Sequence, residues 1–403
     1  MFGFSELVFL GSLHMIKSNH FKPRSLLVMI AGAKGAVGST VAAAVAAVQK
    51  NPDAVLPTLI TRNSFVYLGP PGSIYAAGWD ANPAKLVDCV QHHGVLPENL
   101  WKPLQKDLDE TPVFPSPPED LDIKGQVSYL MKDMQNFKQQ HSHALPVLIN
   151  LLPACTRCNL DKVKDMDDLY AGANPVNFPD LAYALAAILS KIPVVNFSPN
   201  RLELPVVVQQ AVEHRVPLSG RDGKTGQTYF KVVLASALKA RGLYVDGWYS
   251  LNILGNADGK NLMDPDRAAG KVANKTELLD EILGYRVGEH YNESTHKVRI
   301  DYYPPRGDAK EAWDVVDFQG LFGLPMSLRL NIQGRDSILA APMVLDLARW
   351  MAALKMSGFS GSVPELGFYF KKPIGENPPL SFQDQINRLQ TLEKECDEKC
   401  LKL

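Results

Sequence analysis

Ser25-Leu-Leu-Val-Met-Ile-Ala31 runs straight into Gly32-Ala-Lys-Gly-Ala-Val-Gly38 and then into Ser39-Thr-Val-Ala-Ala-Ala-Val-Ala-Ala-Val48. The first run is continuously apolar, as a parallel strand buried on both faces requires. The third is dominated by alanine, the residue that loses least on entering a helix. Strand, glycine turn and helix together aim the free N–H groups of a helix start at a pyrophosphate. The spacing of Gly32, Gly35 and Gly38 is G-x-x-G-x-x-G, which departs from the usual dinucleotide fingerprint. The flanking strand and helix therefore carry the reading.

Strand and helix go on alternating outward from this unit. Val55–Ile60 reads as the second strand, ending at Thr61-Arg62. Ala144–Asn150 and Ile192–Asn196 read as two more, with Leu181–Leu189 the crossover helix between them. The stretch Pro103–Pro118 is rich in proline and charge and reads as a surface loop. The pattern is that of a Rossmann-type, doubly wound α/β sheet. Beyond about residue 228, Val232–Gly242 reads as a helix stopped by glycine. Gly247–Leu254, Lys297–Tyr303 and Pro325–Ile332 are strand-like and would build a second sheet. Pro342–Lys355 reads as an amphipathic helix returning to the first unit, and Leu380–Leu403 as a charged tail helix without chemistry of its own.

At 403 residues the chain can hold two or three domains around a sizeable core. Hydrophobic residues make up 46% and charged ones 21%, the balance of an ordinary globular protein. A formal net charge of −1 gives no electrostatic ground for a nucleic-acid partner. No continuous apolar run approaches the ~18 residues of a membrane span, so no membrane association is expected. Residues 1–24 are apolar at first but carry Glu6 and lack a basic start. They read as a loosely docked extension rather than a signal peptide, and Met15 is an equally good first residue. Five cysteines, two of them in Cys155-Thr-Arg-Cys158, suit a reduced, cytoplasmic setting with incidental thiols and no metal site.

The chemistry concentrates elsewhere. Ser219-Gly-Arg-Asp-Gly-Lys-Thr-Gly-Gln-Thr228 is followed by Leu251–Gly259, Lys271-Val-Ala-Asn-Lys275, Gly307-Asp-Ala-Lys310 and Phe370-Lys-Lys-Pro373. Polar glycine turns recur beside isolated lysines, and the nine histidines all fall outside these motifs. Lysines must then supply charge and proton transfer, which points to oxyanion and enolate chemistry on a phosphorylated polyol. On one helical turn Lys271 and Lys275 share a face. Repulsion and burial would lower their pKa values and leave one as a base near neutrality, unless the face is simply solvated.

Taken in order, these motifs resemble those of the myo-inositol-1-phosphate synthase family, from Gly32 to about Pro373. Asp222-x-Lys-Thr-Gly-Gln-Thr228, Leu254-Gly-Asn-x-Asp-Gly259, the Lys-x3-Lys pair, Arg335-Asp-Ser-Ile-Leu-Ala340 and Lys371-x-Pro373 carry the likeness. The resemblance implies NAD as a bound cofactor and a Rossmann domain (25–228, completed by about 340–365). A catalytic and tetramerisation domain (229–339) and a C-terminal segment (366–403) bearing Lys371 would complete the chain. It implies Lys271, Lys275, Lys310 and Lys371 as active-site lysines, with Asp222, Asn252, Asp258, Asp308 and Asp336 as a polar shell. Cofactor contacts would come from Gly32, Gly35, Ala36, Val37, Gly38, Asp80, Asn196, Phe197, Ser198, Asp222, Thr225, Asn256, Asp258, Gly307, Asp308, Asp336 and Ser337. The expected reaction is cyclisation of glucose 6-phosphate to inositol 3-phosphate in a cytoplasmic homotetramer. A carbocyclase for another sugar phosphate, such as fructose 6-phosphate, and a non-catalytic NAD-binding protein are the alternatives. The chain departs from the family pattern in two places. Ala36 and Val37 stand where the family usually has asparagines. No acid ends the strand assigned to Val55–Ile60, where Arg62 would even suit a 2′-phosphate, and Asp80 of Gly78-Trp-Asp-Ala81 is the implied substitute.

Overall fold

The computed structural model describes residues 23–155, 160, 163–174, 178–264 and 278–400. The N-terminal extension, Cys158, Lys271 and Lys275 lie outside the described residues.

Strand β1 (Ser25–Ala31) is the heart of a seven-stranded sheet. Its alternate residues feed two cores, Leu26, Val28 and Ile30 on one face and Leu27, Met29 and Ala31 on the other. Each such side chain stabilises the fold by about 1.5–3 kcal/mol when fully buried. The other strands are β2 (Ile74–Asp80), β3 (Val113–Pro115), β4 (Ala144–Asn150), β5 (Val194–Asn196), β6 (Pro217–Gly220) and β11 (Gly361–Ser362). Their order is β11-β6-β5-β4-β1-β2-β3, all parallel. The chain steps from β1 out to β3, then returns to β4 on the other side of β1. That reversal makes the carboxyl edge between β1 and β4 the binding crevice of such sheets.

Two expectations fail here. Val55–Ile60 is not a strand: three successive 3₁₀ turns, Pro52–Ala54, Leu56–Thr58 and Ile60–Asn63, occupy the region. Pro52 and Pro57 preset turn angles and offer no N–H to a ladder. The second strand is Ile74–Asp80, whose Ala-Ala-Gly centre hid its strand character. A side chain at Gly78 would lie 2.3 Å from the Ile30 carbonyl oxygen, so this strand can approach β1 only with glycine there. Pro103–Pro118 is not a bare loop either, since it holds the helix Gln105–Glu110 and the edge strand β3.

A second sheet has the order β10-β9-β7-β8, built from β7 (Tyr244–Leu254), β8 (His296–Tyr302), β9 (Ala309–Gln319) and β10 (Pro325–Arg335). Strand β9 was not legible, because Glu311, Asp314 and Asp317 interrupt its apolar positions. The helix Gln227–Ala240, begun by the last residues of the 219–228 motif, packs Val232 and Ala235 against Val245, Trp248 and Val316 of this sheet.

From β10 the chain passes directly into the core helix Asp336–Met356, which starts one turn and a half before the expected Pro342. Packing of Ala340 and Ala341 overrides the helix-starting preference of proline. In length and composition this helix could cross a membrane, yet 78% of its apolar window is buried inside the fold. The tail helix Phe382–Cys400 lays Leu389, Leu392, Cys396 and Cys400 on the same core.

Candidate active site

The glycine loop, Asp80 and the Asn196–Ser198 turn meet at the carboxyl edge of the parallel sheet. Beyond β1, the chain turns through Gly32 (φ +84°) into a helix beginning at Ala36, whose start no side chain caps. A Cβ on Gly38 would sit 2.4 Å from the Gly32 carbonyl oxygen, so the tight loop depends on glycine at that point. Ala36 and Val37 form the first turn and offer backbone N–H groups with no polar side chains over them.

Asp80 ends β2 and faces this loop. Its Oδ2 accepts the Lys34 N–H at 2.8 Å and its Oδ1 accepts the Asn82 N–H at 2.9 Å. The second strand therefore does end in an acid, once β2 is correctly placed. Arg62, which the sequence had set at this point, lies instead in a 3₁₀ turn.

Beyond β5, Asn196-Phe197-Ser198 runs beside the 219–228 motif. The Phe197 carbonyl accepts the Gly223 N–H at 3.1 Å and the Ser198 carbonyl accepts the Asp222 N–H at 2.9 Å. Residues 221–224 then pair with 369–372: Arg221 N–H donates to Lys372 O, Lys371 N–H to Asp222 O and Lys224 N–H to Tyr369 O, each at 2.8 Å. This ribbon sets Lys371 against Asp222. Lys371 Nζ donates to Asp222 Oδ1 at 2.6 Å in a pair with only 10% and 4% of its side chains exposed.

A second cluster follows on the same chain. Asp336 opens the core helix and bridges two groups, accepting Thr225 Oγ1–H at 3.1 Å and Lys310 Nζ at 3.2 Å. Ser337 donates to Asp308 Oδ1 at 3.0 Å, and Asn256 Nδ2 reaches the same oxygen at 3.4 Å. Asp308 Oδ2 is buried and unpartnered, and burial pushes this carboxyl above the usual carboxylate range. Asn252, fully buried in β7, has no partner for either side-chain polar atom. Gly307 (φ +55°) makes the turn that delivers Asp308 and Lys310, and Asp258 lies in the helix Ala257–Asn261.

The structure thus joins Asp222 with Lys371, Thr225 with Lys310 through Asp336, and Ser337 with Asn256 through Asp308. It also shows three features that motif reading missed. Lys224 is fully buried, donating to Gly367 O at 3.0 Å and Gln385 Oε1 at 2.8 Å, and burial lowers its pKa to about 7. Gln385 belongs to the tail helix, so that helix does reach the site. Within the second sheet, Asp314 accepts Gln227 Nε2–H, Trp248 Nε1–H and Ser250 Oγ–H at 2.8, 2.7 and 2.5 Å. Lys231, its pKa lowered by burial to about 8, lies 3.2 Å from Ser250 Oγ and 2.6 Å from His296 Nε2. The third feature is a buried carboxylate, Asp180, beneath the Asn196–Asn200 turn. A lysine inside a glycine-rich motif was the available signal for Lys224; Asp180 and Asp314 gave none.

The sequence model for myo-inositol-1-phosphate synthase matches residues 226–337. Inositol-3-phosphate synthase 1 of Bacteroides thetaiotaomicron is 43% identical over 198 residues, 49% of this chain and 46% of that protein. Inositol-3-phosphate synthase of Dictyostelium discoideum is 31% identical over 305 residues, 69% of this chain and 59% of that protein. The chain thus spans about half to three fifths of the length of the curated relatives it matches. In fold it is similar to the crystal structure of inositol-3-phosphate synthase from Caenorhabditis elegans, with a TM-score of 0.81 at 20% identity, covering 94% of this chain and 86% of that one. A myo-inositol-1-phosphate synthase-related protein from Thermotoga maritima gives a TM-score of 0.73 at 21% identity, covering 92% and 98%. Fold, ordered motifs and sequence likeness agree: the chain belongs to the myo-inositol-1-phosphate synthase family.

Proposed function

We propose that the protein cyclises D-glucose 6-phosphate to 1D-myo-inositol 3-phosphate with NAD held at the carboxyl edge of the parallel sheet. The observation that carries this reading is two lysine–aspartate pairs, Lys371–Asp222 beside the turn that follows β5 and Lys310–Asp336 at the start of the core helix. The residues fit a dinucleotide. Gly38 lets the loop close tightly on Gly32 and Ala33, the helix start is uncapped, and Asp80 stands where a ribose hydroxyl would meet an acid. Phe197, Ser198, Thr225 and Ser337 line the way from that edge toward the lysines, and the unpartnered Asp308 Oδ2 and Asn252 amide offer polar atoms to a ligand.

When bound, NAD supplies a hydride acceptor at C5 of the sugar and returns the hydride at the end. The chain's own groups do the rest. Asp222 holds the Lys371 ammonium beside the site, where it steadies the enolate formed as C6 loses its proton, a loss balanced by the proton the C1 oxygen gains when the ring closes. Asp336 fixes Lys310, whose charge meets the oxyanion that develops at C1 as the ring closes. Lys271 takes the C5 hydroxyl proton and Lys275 shares the C1 oxyanion; both lie outside the described residues. A homotetramer assembled through the second sheet is part of the same reading, supported by the exposed Tyr249, Trp313 and Met326 on its strands. A cytoplasmic setting suits the free thiols of Cys89, Cys155, Cys396 and Cys400.

Incubation with glucose 6-phosphate and catalytic NAD should yield an inositol monophosphate without accumulated NADH. Stoichiometric NADH would mark an ordinary dehydrogenase and remove the cyclase reading.

A further inference from the structure

The turn Asn196–Asn200 is held by a side-chain network in addition to the backbone bonds that tie Phe197 and Ser198 to Asn150, Asp222 and Gly223. Asp180, in the first turn of the crossover helix Asp180–Leu189, is fully buried beneath it. Its Oδ1 accepts Asn150 Nδ2–H at 2.6 Å and Asn200 Nδ2–H at 3.0 Å, and its Oδ2 accepts the same Asn200 amide at 2.9 Å. Asn150 ends β4 and also donates to Asn196 Oδ1 at 3.0 Å, while Asn196 Nδ2 donates to the Asn200 carbonyl at 2.6 Å. Asn200 Oδ1 in turn accepts the Cys155 N–H at 2.9 Å. One carboxylate therefore gathers the ends of β4 and β5 and the following turn. Next to them, the Leu151 N–H donates to the Ala31 carbonyl at the start of the glycine loop.

We propose that Asp180 is a positioning residue for the dinucleotide, setting the Asn196–Ser198 turn and the end of β4 at the crevice floor through three asparagine side chains. The inference deepens the reading above and rests on its placing of NAD at this edge. Asp180 itself reaches no ligand, because its oxygens face the asparagines. Its asparagine neighbours present N–H groups to both arms and Ser198 adds its hydroxyl, so an acceptor on both arms completes the network.

The isosteric Asp180→Asn keeps the shape but turns one arm into a donor facing donors. The turn must then shift, and NAD should bind about tenfold or more weakly, since small displacements of positioning groups cost factors of this size. Turnover at saturating NAD and KM for glucose 6-phosphate should stay within about twofold of wild type, as the lysine pairs are untouched. Asn200→Ser, which removes one partner and leaves the carboxylate, should weaken NAD binding in the same direction. As a control, Asp346→Asn alters a buried carboxylate that holds Thr61 and Ile60 on the far side of the sheet. It should lower the melting temperature without changing NAD affinity. NAD binding is measured by calorimetry, independently of turnover. Unchanged NAD affinity in both Asp180→Asn and Asn200→Ser overturns the proposal, as does a loss of turnover at saturating NAD with NAD affinity intact. A wild type that binds NAD yet forms no inositol phosphate would overturn the proposed function and leave the role of Asp180 standing.

Discussion

The two sheets solve the same problem in opposite ways. The parallel sheet is covered on both faces, and its strands β1 and β5 are apolar and buried almost throughout. Polar function is confined to its carboxyl edge, at Gly32, Asp80, Asn150, Asn196 and Gly220. The four-stranded sheet buries one face against the helix Gln227–Ala240 and places a charged network there, Lys231 and Asp314 with Ser250, His296 and Gln227. Its other face is open, and the outer strand β10 alternates exposed and half-buried residues along its length. Asn252 and Asp308 keep unpartnered polar atoms in this half. The first sheet is complete as a folded body, while the second carries charge inside and apolar surface outside. That arrangement suits a unit finished by a ligand on one side and another copy of itself on the other.

The sharpest break in this picture comes from the pair that joins the halves. Lys371→Ala leaves Asp222 buried beside Ser198 without its ammonium, and turnover should fall by roughly 10²–10⁴. NAD affinity should change far less. Lys372→Ala, one residue away and outside the ion pair with Asp222, should leave turnover within about threefold of wild type. Steady-state kinetics with NAD titrations checks both. Equal losses at 371 and 372 would show that general positive charge, not the Asp222 pair, is what the site uses.

Asp314→Ala tests the charged interior of the second sheet. It strands the Gln227 amide and the Trp248 indole N–H and removes the negative charge that faces the buried Lys231 across Ser250, and leaving buried donors and a buried charge uncompensated in this way costs about 3–5 kcal/mol. The same substitution at Asp346, a buried carboxylate that accepts from Thr61 and the Ile60 N–H, should cost less, because the buried Arg349 near it keeps its bonds to the Ser64 and Gly69 carbonyls. Denaturant midpoints compare the two. If Asp314→Ala is the milder change, the network is ornamental and the contrast between the sheets weakens.

Lys224 gives the comparison a pH signature. Its pKa is about 7 in the fold, held down by burial, against 10.5 for an ordinary lysine. Between these values the unfolded chain binds the proton and the folded one does not, so this group makes stability rise with pH across pH 7 to 10.5. Below pH 7 both states are charged and the burial cost is present in full. Lys224→Met should remove a few kcal/mol of that slope and raise the melting temperature most at neutral pH. A variant whose melting temperature tracks wild type between pH 7 and 9 would mean that Gly367 O and Gln385 keep the ammonium charged throughout.

How much of this was open to sequence reading follows from where the physical signal lies. The glycine loop, the crossover helix and three of the four strands of the second sheet were legible because short-range patterns dictate them. The second strand was not, since its defining fact is a contact between Gly78 and the Ile30 carbonyl on another strand. That error carried Arg62 into a place held by Asp80. At the site, the motif favoured Lys371 over Lys372, and Lys371 is the one that pairs with Asp222; the substitutions above test which of them the reaction uses. The tail helix was read as chemically idle because nothing in its sequence announces that Gln385 folds back onto Lys224. Asp180 and Asp314 were invisible for the same reason: their partners lie tens of residues away, and an isolated acid on an apolar helix or strand carries no motif.

The smallest effect on the fold, and the most direct test of the open face, comes from the β9–β10 hairpin tip. Leu321, Phe322 and Leu324 are 78%, 87% and 64% exposed, an apolar cluster at the end of the outermost strands. Single exposed apolar residues are ordinary, but three at one tip, with the exposed Met326 just beyond it on β10, form an apolar cluster. Phe322 also has φ +62°, a left-handed conformation that bulky residues rarely adopt without something holding the ring. Replacing Phe322 and Leu324 by serine removes no buried contact within the chain, so monomer stability should shift by less than about 0.5 kcal/mol. The assembly should respond instead. Light scattering at micromolar concentration should show the wild type as a tetramer and the double variant in smaller species, with the circular dichroism of the two alike. A monomeric wild type would end the tetramer proposal. A variant that stays tetrameric would move the contact off this tip and onto the Tyr249 and Trp313 face of the sheet.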